Sequence, residues 1–565
     1  MAIMTKTALS AAAMAVVSRY ARRRGITPAK IREYLNPKLH PSRYPLPDAG
    51  KASARLLAAS QNQERIVIFG DYDADGITSV SILLRFFHEC TSLRPDWKLP
   101  NRQTDHYDLD LVAAEKMLAE FQPALVICID NGTNAAESVA WLRSRGVDTI
   151  VVDHHPCTTL ATTAVAMVNP KAHQATATGD LADLCAAGLA LVFCAHLAQA
   201  WGCAKRWDYI TAIMIAGIGT LADAVPLSAI NRAVVKSALQ LINTPAARQR
   251  CAGLRTLMPD DGQPMTQRRI EFEVVPPLNA LGRLAAADPG VLLLTRDDIT
   301  EAESIATRCR ELNESRKTIQ QTIVAQGVEQ GRKLLEKHPA LPVLVLAHPD
   351  WLPGVVGPAA SRIAEQFERS AILLGLDHAP GKWKGSGRSF QADNLGAWLL
   401  TVKQQGLVER AGGHAAAAGL SVRTEQICQL RTAARDLPMP QVYSYEPAYE
   451  VIGKLSELRA NEWMQVIEAL SPFGSGNPMP AIAIPDAVLC QEPVKLKANG
   501  ANEPWAWKAD FTVGKQTISV IWREVEKAAQ WRKDCRYDLE LELTTKRFQG
   551  RTFINWSVVR CAPAA

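Results

Sequence analysis

The chain has 565 residues, of which 47% are hydrophobic and 21% charged, and its formal net charge is +6. This length exceeds what a single hydrophobic core supports, so three or four domains are expected in an otherwise ordinary globular composition. No apolar run is long enough to cross a bilayer, which argues against a membrane-spanning protein. The small positive charge favours a polyanionic partner only weakly.

The N-terminal region 1–50 is predicted to be a helical segment. Its alanine-rich stretch Ala8–Val17 runs on towards Arg22–Arg24, which favours a helix that ends at Gly25, with a solvated basic end, over a signal peptide. The twelve cysteines are scattered without a CxxC pair. They therefore indicate reduced packing residues in a cytoplasmic protein rather than a disulfide framework or a zinc ribbon.

Region 51–297 begins with short, continuous apolar runs separated by helical segments. Continuous runs are typical of strands that are buried on both faces of a parallel sheet. Polar residues cluster where three of these strands end, and ligands bind at that edge of open parallel sheets. The four predicted strands are Glu64–Gly70, Ala124–Asp130, Asp148–Asp153 and Ala164–Asn169.

The rest of the chain divides by composition. Cys185–Asn243 is largely helical, and 298–338 is charged and free of proline, which predicts one long connecting helix. Region 339–437 returns to α/β alternation. Region 438–565 contains short alternating stretches such as Lys508–Val513, which suggest a small antiparallel barrel.

Three aspartates, Asp71, Asp73 and Asp75, follow the first predicted strand directly, and Gly76 lets the backbone turn into a helix. Alternate residues of an extended segment share a face, so these carboxylates can converge, and they repel one another unless a cation neutralises them. The DxDxDG pattern also opens an EF-hand. That loop needs Glu at its twelfth position, where Ile82 stands here, and a helix before it.

Further metal-binding residue types lie at the ends of other predicted elements: Asp130, the run Asp153-His154-His155, and Asp223. A single aspartate at such a place is usually structural. Together they place carboxylates and imidazoles at one sheet edge, a set that suits manganese or magnesium better than zinc. Four or more carboxylates favour two bridged ions, which fit in-line attack of water on a phosphodiester.

These residues lie in motifs that occur in order along nearly the whole chain: GDYDADGITS, IDNG, VDHH, GTLADAVPL, LNALGR, LNESRK, GVVGPAASRI, KGSGRS, GGHAAAAGL and SPFGSGNPMP. With them the chain resembles the DHH phosphoesterases, most closely the bacterial members that digest single-stranded DNA. The resemblance implies an α/β protein with a parallel-sheet DHH domain (51–297), a connecting helix (298–338), an α/β DHHA1 domain (339–437) and a C-terminal OB-fold barrel (438–565). The active site would lie in the cleft between the first two domains.

The resemblance also assigns roles to residues at the cleft. It implies that two divalent cations, preferably Mn²⁺ but also Mg²⁺, are held by Asp73, Asp75, Asp130, His154 and Asp223, with Asp130 as the bridge. His155 would join them as a catalytic residue that orients phosphate. Asp71 and Asp153 would orient the ligands. The chain departs from the family pattern in the segment after Asn101 and Arg102, where two glycines are lost, and at three single positions. Phe69 replaces a metal-binding histidine, Pro277 an arginine and Leu352 a histidine.

Residues that grip a nucleic acid are predicted in glycine- or asparagine-containing loops, which can approach a phosphate closely. The planar forked donors of arginine suit a terminal phosphate, although an isolated arginine is more often a surface ion pair. His414 follows two glycines and is nearly as easily a core histidine. The candidates are Arg102, Asn279, Arg283, Ser386, Arg388 and His414, with Lys495, Lys497, Trp505, Trp507, Lys508, Lys546, Arg547 and Phe548 in the barrel.

The resemblance implies a monomeric exonuclease that hydrolyses single-stranded DNA 5′→3′ to mononucleotides in DNA repair and recombination. Two alternatives remain open: a DHH-type phosphodiesterase or oligoribonuclease acting on short nucleotides, and a catalytically impaired relative that only binds single strands. The chain has no GxxxxGK[ST] motif. Opening of duplexes would therefore require a separate helicase, together with a single-strand-binding protein.

Overall fold

The structure, a computed structural model, describes residues 9–102, 108–172, 181–442, 449–497, 506–514, 516–523, 528–548 and 551–564. The alanine-rich N-terminal stretch forms helix α1 (Ala11–Arg23), and a short helix α2 (Ile31–Leu35) follows. Ser10 caps α1 by accepting a hydrogen bond from the backbone N–H of Ala13 at 3.2 Å. Gly25 follows the helix with a φ of 68°, as expected for a residue that ends it.

The first domain contains the predicted parallel sheet, with strand order β2-β1-β3-β4-β5. All four predicted strands are present, and the edge strand β2 is an addition that the sequence did not indicate. The elements in chain order are α3 (Ala49–Gln61), β1 (Ile66–Phe69), α4 (Ala74–Cys90), β2 (Asp96–Lys98), α5 (Leu111–Phe121), β3 (Leu125–Ile129), α6 (Ala136–Ser144), β4 (Asp148–Val152) and β5 (Ala166–Val168).

Both faces of this sheet are buried, which explains the continuous apolar runs. In β1, Ile66 and Ile68 point into one hydrophobic cluster, whereas Val67 and Phe69 point into another on the opposite face. Successive side chains of a strand alternate between faces. Every strand position must therefore be apolar, and the polar residues are confined to the loops at the strand ends.

Helices complete the first domain and lead out of it. A segment of π-helix, Ile270–Val274, lies between two of them. The 39-residue helix α15 confirms the predicted connector. The helices are α7 (Ala186–Ala200), α8 (Tyr209–Ala222), α9 (Ala229–Ile242), α10 (Pro245–Arg248), α11 (Ala252–Leu257), α12 (Gln267–Arg269), α13 (Val275–Leu284), α14 (Asp288–Thr295) and α15 (Ile299–Lys337).

The second α/β domain has a mixed sheet of order β6-β7-β8-β10-β9, in which only β6 and β7 are parallel. Helix α16 begins at the edge that faces the first domain, where Arg283 contacts Gly354. The elements are β6 (Val343–His348), α16 (Pro353–Phe367), β7 (Ser370–Leu376), β8 (Lys382–Arg388), α17 (Leu395–Gln404), β9 (Arg410–Gly413), β10 (Ala417–Arg423) and α18 (Ile427–Asp436).

The C-terminal domain is a closed barrel in which β12, β16, β17, β15 and β14 pair in turn and β14 returns to β12. One pair, β15 with β17, is parallel, so the barrel is not wholly antiparallel. Such a closed five-stranded barrel is the OB-fold arrangement. The elements are β11 (Tyr449–Lys454), α19 (Ala460–Leu470), β12 (Met479–Leu489), β13 (Val494–Leu496), β14 (Ala506–Val513), β15 (Gln516–Trp522), β16 (Arg536–Phe548) and β17 (Arg551–Pro563).

The N-terminal helix packs on this C-terminal domain. Val16 and Tyr20 of α1 lie in the same hydrophobic cluster as Trp463 of α19. The basic end of α1 is paired rather than solely solvated, because Arg23 and Arg24 contact the Glu450 carboxylate at 2.7 and 2.6 Å. The two ends of the chain therefore share one core. No helix in the described parts of the chain is long and apolar enough to span a membrane.

Candidate metal centre

Asp71 lies at the carboxyl end of β1 and is completely buried. Its Oδ1 accepts a hydrogen bond from the backbone N–H of Tyr72 at 2.7 Å, whereas its buried Oδ2 has no hydrogen-bond partner. Gly76 makes this arrangement possible, because a Cβ there would lie 2.5 Å from the Asp71 carbonyl oxygen. Burial, followed by the charge of Asp73, raises the pKa of Asp71 well above its usual value.

Asp73 is the N-cap of α4. Its Oδ1 accepts hydrogen bonds from the backbone N–H groups of Asp75 and Gly76 at 2.9 and 3.1 Å. The first N–H of the helix, that of Ala74, donates to Asn279 Oδ1 at 2.9 Å. Asp73 therefore fixes the start of the helix and also belongs to the acidic cluster, so its structural role and its predicted role as a ligand coexist.

Asp75 is held against the N-terminus of α7. Its two carboxylate oxygens accept hydrogen bonds from the backbone N–H groups of Ala186 and Ala187 at 2.8 and 2.9 Å. The positive end of a helix dipole stabilises such an anion. Burial and the charges of Asp223 and Asp73 nevertheless raise the pKa of Asp75 well above its usual value.

Asp130 follows β3 in the left-handed region, with a φ of 63°, and its side chain is buried. Its Oδ1 lies 3.2 Å from His154 Nε2, and that nitrogen lies 3.8 Å from Asp223 Oδ2. Burial and the charge of His155 lower the pKa of His154 to about 3. The imidazole is therefore neutral, which is the form that binds a metal.

Asp153 holds the following residues in place. Its Oδ1 accepts hydrogen bonds from the backbone N–H groups of His154 and His155 at 2.7 and 3.2 Å and lies 2.8 Å from His155 Nδ1. Its Oδ2 accepts one from the backbone N–H of Thr133 at 3.1 Å. Burial opposes charge on His155, but the hydrogen bond to Asp153 and its negative charge raise the pKa of that imidazole to about 9.

The geometry brings all the predicted metal ligands together. Donor atoms within 4.8 Å of one another form three groups, one of Asp71, Asp73 and Asp130, one of Asp75, His154 and Asp223, and one of Asp130, Asp153, His154 and His155. Asp130 and His154 each belong to two groups. Burial, followed by the charge of Asp73, raises the pKa of Asp223 to about 7.

The donor set fits divalent cations. Asp71 Oδ2 and His154 Nδ1 are buried polar atoms without hydrogen-bond partners, and buried carboxylates crowd one another around them. A bound cation would give the unsatisfied Asp71 oxygen a partner and reduce the repulsion between the carboxylates. Carboxylate oxygens with one neutral imidazole are ligands that suit Mn²⁺ or Mg²⁺. Asp71, predicted to orient ligands, lies in one of the groups.

Four arginines form a positively charged cluster beside the acidic cluster: Arg102, Arg283, Arg316 and Arg388. The pKa of Arg283 is lowered to about 9 by burial and then by the positive charges of Arg102, Arg388 and Arg316. Arg102 lies over the ring of Tyr72 at 5.1 Å, and Arg388 Nη1 donates to Ser386 Oγ at 2.8 Å. Three of the four, with Ser386, were predicted to contact nucleic acid. The structure brings them together from both α/β domains.

Two positive residues near the site were not predicted. Arg316 lies on α15 within the LNESRK motif and donates to Asn313 Oδ1 at 2.9 Å. Lys171 follows β5 in the sequence Asn169-Pro170-Lys171, and its pKa is lowered by burial against the opposing effect of Asp223 and Asp153. Lysine and arginine are common, so residue type alone did not identify either residue as part of the site. The only sequence signal was position: Arg316 lies in a motif, and Lys171 follows a predicted strand.

The other predicted contacts have different surroundings. Asn279 is engaged in capping α4. His414 is exposed at the surface, but the protein atoms around part of its ring lower its pKa, as do the positive charges of His155 and Lys171. His414 is therefore close enough to the acidic cluster for the charge of His155 to act on it. In the barrel, Lys495 Nζ lies 5.1 Å from the ring of Trp507. Lys497 and Lys508 are exposed, whereas Trp505 and the side chains of Lys546, Arg547 and Phe548 lie outside the described residues.

The three single-position departures from the family pattern are structurally accommodated. Phe69 is buried in the apolar cluster on one face of the sheet. Pro277 lies buried within the first turn of α13. Leu352 is the N-cap residue of α16 and packs against the apolar cluster below that helix. None of the three supplies a ligand, so the cluster consists of the carboxylates and histidines described above.

Comparison with known proteins identifies the domain families to which the two α/β domains belong. Residues 65–218 match the DHH family, N-terminal domain, and residues 340–437 match the DHHA1 domain. The crystal structure of RecJ in complex with Mn²⁺ from Thermus thermophilus superposes with a TM-score of 0.77 at 25% identity, covering 99% of this chain and 77% of that one. The match includes the sheet of the first domain, the second domain and the barrel.

The sequences of characterised relatives identify the family within this class of proteins. The single-stranded-DNA-specific exonuclease RecJ of Salmonella typhimurium is 32% identical over 445 residues, which are 75% of this chain and 75% of that protein. RecJ of Bacillus subtilis is 31% identical over 457 residues, which are 80% of this chain but 55% of that protein. The chain belongs to the RecJ family of single-stranded-DNA-specific exonucleases. This membership confirms the resemblance inferred from the motifs.

Proposed function

We propose that the protein is a metal-dependent exonuclease that hydrolyses single-stranded DNA from its 5′ end and releases mononucleotides. The proposal rests on the position of Asp130, which lies in an acidic group with Asp71 and Asp73. Its Oδ1 is 3.2 Å from His154, which belongs to a second group with Asp75 and Asp223. Two ligand groups that adjoin through the contact between Asp130 and His154 suit two-ion hydrolysis of a phosphodiester.

Bound divalent cations supply Lewis-acid stabilisation of the phosphate and lower the pKa of water. Asp73, Asp75, Asp130, His154 and Asp223 would hold them, and Asp71 is placed to join them. The chain's own groups do the rest. Asp153 orients the imidazole of His155, whose raised pKa keeps it cationic at neutral pH and so able to bind an anionic phosphate.

The arginine cluster gives the site a means of recognising an end. Burial and then the positive charges of Arg102, Arg388 and Arg316 lower the pKa of Arg283, so the cluster carries unfavourable repulsion between like charges. An anion of high charge density would relieve that repulsion, and forked guanidinium groups suit a phosphate. A terminal 5′-phosphate held there would place the adjoining phosphodiester beside the acidic cluster, which accounts for cleavage from the end.

The two alternatives are less well supported. A phosphodiesterase specific for short nucleotides has no use for a barrel with exposed lysines and a half-buried tryptophan, which suit a longer single strand. A binding protein without catalysis has no need of the retained carboxylates. We further propose that the protein acts as a cytoplasmic monomer in DNA repair and recombination, with a helicase and a single-strand-binding protein as partners.

Digestion of a long single strand labelled at either end tests the proposal. With Mn²⁺ and a 5′ label, a labelled mononucleotide should appear from the first turnover. With a 3′ label, the labelled product should shorten progressively. Mg²⁺ should support the same pattern more slowly, and chelation should stop it. A labelled mononucleotide released first from the 3′ end, or digestion of dinucleotides only, would contradict the proposal.

A further inference from the structure

A turn of the C-terminal domain, Phe473–Asn477, docks on the loop that follows Asp223. The backbone N–H of Leu227 donates to the Ser475 carbonyl oxygen at 2.7 Å. The turn itself is closed by two hydrogen bonds, from Gly474 N–H to Asn477 O at 2.9 Å and from Asn477 N–H to Gly474 O at 3.0 Å. A rigid piece of the barrel domain therefore touches the catalytic domain four residues after a predicted metal ligand.

Two positions of the turn that lie close to this loop favour glycine, Gly474 for reasons of space and Gly476 because of its backbone conformation. A Cβ at Gly474 would lie 3.1 Å from Leu227 Cδ1, which is tighter than ordinary packing. Gly476 has a φ of +73°, and a Cβ there would meet Pro226 at 3.4 Å. The turn therefore packs closely on Leu227. A methyl group at Gly474 would require a small shift of the Leu227 side chain, and a larger branched side chain would require a larger one.

Side chains of the catalytic domain hold the turn from below. Gln267 Oε1 accepts a hydrogen bond from the Phe473 N–H at 2.7 Å, and the Gln267 amide donates back to the Phe473 carbonyl. Arg232, which is 1% exposed, donates to the carbonyl oxygens of Leu470 and Pro472 at 2.8 and 3.2 Å. A buried cation that satisfies several backbone carbonyls makes this junction specific rather than a loose domain contact.

The loop that receives the turn is held by both domains. In the first domain the Leu227 side chain is buried in the hydrophobic core, and Ser228 Oγ donates to Asp183 Oδ2 at 2.8 Å. Asp223 is the residue that ends α8, and Ala224 adopts a φ of 54°, which costs a non-glycine residue energy. Within the first domain, Asn231 Nδ2 donates to the Pro226 carbonyl oxygen at 2.9 Å. The hydrogen bond from the Leu227 N–H to the Ser475 carbonyl oxygen adds a contact between this loop and the C-terminal domain. Strain of this kind persists only where the surroundings enforce it.

We propose that the Phe473–Asn477 turn is a positioning element for Asp223, so that the barrel domain sets the geometry of the metal site formed by Asp75, His154 and Asp223. The inference rests on the proposed metal-dependent function and adds to it. A single strand that engages the barrel would then act on the same junction that holds a metal ligand, which links strand binding to the metal site.

Mn²⁺ affinity measured by calorimetry and by the electron paramagnetic resonance of bound Mn²⁺ tests the inference. Gly474→Val should displace Leu227 and weaken one Mn²⁺ site by about 10-fold, as loss of an outer partner of a ligand does. Gly474→Ala should have a smaller effect. Gln267→Leu removes the anchor from the opposite domain and should weaken the same site. Gly50→Val is the control, because nothing lies within 4 Å of a Cβ at that glycine.

Excess Mn²⁺ should restore the kcat of the variants while KM for a short oligonucleotide stays unchanged. If the turn only stabilises the fold, Gly474→Val and Gln267→Leu will lower the melting temperature and leave both Mn²⁺ affinities at the wild-type value, and the inference is then wrong. Should Gly474→Val not fold, Gln267→Leu decides in the same way. Failure of the wild-type protein itself to bind Mn²⁺ would instead overturn the proposed function.

Discussion

Asp130 connects the two groups of candidate metal ligands. It belongs to the group of Asp71 and Asp73, and its Oδ1 lies 3.2 Å from His154 of the other group. Its carboxylate is buried, and burial followed by the charges of Asp75 and Asp73 raises its pKa well above the usual value. In the metal-free protein the carboxylates therefore repel one another, and a bound cation relieves that repulsion. The left-handed backbone of Asp130 suits aspartate and asparagine, so Asp130→Asn changes the charge with little change in conformation.

Asp130→Asn should lower kcat for digestion of single-stranded DNA by at least about 100-fold, because an amide is a weak substitute for a carboxylate ligand. Circular dichroism should show an intact fold. Undiminished digestion would show that Asp130 is not a ligand.

The same variant should be more stable than the wild type when metal is chelated. The raised pKa of Asp130 means that its ionisation opposes folding, so wild-type stability falls as pH rises from about 4 through the raised value. Asparagine does not ionise. The melting temperature of Asp130→Asn in EDTA should exceed that of the wild type at pH 8, and the two should converge towards pH 4. A lower melting temperature at pH 8 would contradict the predicted repulsion.

Arg388→Ala should weaken binding of a 5′-phosphorylated single strand and reduce the slope of log affinity against log salt by about 0.7, the value for one lost phosphate contact. The reason is that Arg388 is half-buried beside other arginines, where desolvation and the charge of Arg102 lower its pKa. Fluorescence anisotropy across a salt series measures both quantities. Arg435→Ala is the control, because Arg435 is exposed and paired with Asp436; equal effects of both variants would show that the contact is not specific.

At the scale of elements, close approach of backbones fixes the cleft. A Cβ at Gly282 in α13 would lie 2.3 Å from the carbonyl oxygen of Tyr72, in the loop that carries Asp71 and Asp73. Helix α13 also supplies Asn279 to the start of α4 and Arg283 to the arginine cluster. One helix therefore positions both halves of the site.

Gly282→Ala should destabilise the protein by about 1–3 kcal/mol and lower exonuclease activity, since the added methyl group must displace backbone rather than a flexible side chain. Gly50→Ala, at an exposed helical position with open space around it, should be neutral or stabilising by up to about 1 kcal/mol. Urea unfolding measures both. Equal stability of the two variants would mean that α13 does not press on the Tyr72 loop.

The elements were predictable where a physical signal was strong. Buried strands such as β3 gave continuous apolar runs, and α15 gave a long charged stretch without proline. Strand β2, three residues with an exposed aspartate, gave no such signal and forms because β1 offers it an edge. Ala417–Arg423 became strand β10 although alanine disfavours strands, since pairing with β8 and β9 overrides propensity.

The site was predictable as a set of residue types at strand ends, which the parallel sheet brings to one edge. The contacts that tune it were not. Nothing in the sequence showed that Asp75 would face the N-terminus of α7, more than a hundred residues away, or that Arg316 would join three other arginines. Such contacts depend on how separate elements pack, and no local pattern encodes them.

At the scale of the whole molecule, the N-terminal helix and the barrel form one unit across the full length of the chain. Tyr20 is fully buried, and its hydroxyl lies 2.8 Å from Asn477 Oδ1. Val16 and Val17 of the same helix are buried against the C-terminal domain. The barrel therefore covers an apolar face that the N-terminal segment would otherwise expose to water.

Deletion of 438–565 alone should yield a protein that binds a hydrophobic dye strongly and elutes as an aggregate. Deletion of both 1–47 and 438–565 should reduce dye binding, because the uncovered helix is removed with its partner. Both products lack the turn that contacts Leu227, so they differ only in the N-terminal segment. Equal dye binding by the two would show that α1 is not the exposed surface.

Acidic side chains from four separate stretches of the chain are expected to meet around two cations. Crystals grown with Mn²⁺ and measured at the manganese absorption edge test this expectation directly. We expect two anomalous difference peaks, one among Asp71, Asp73 and Asp130 and one among Asp75, His154 and Asp223. The absence of any peak among these residues, or manganese bound only elsewhere, would contradict it.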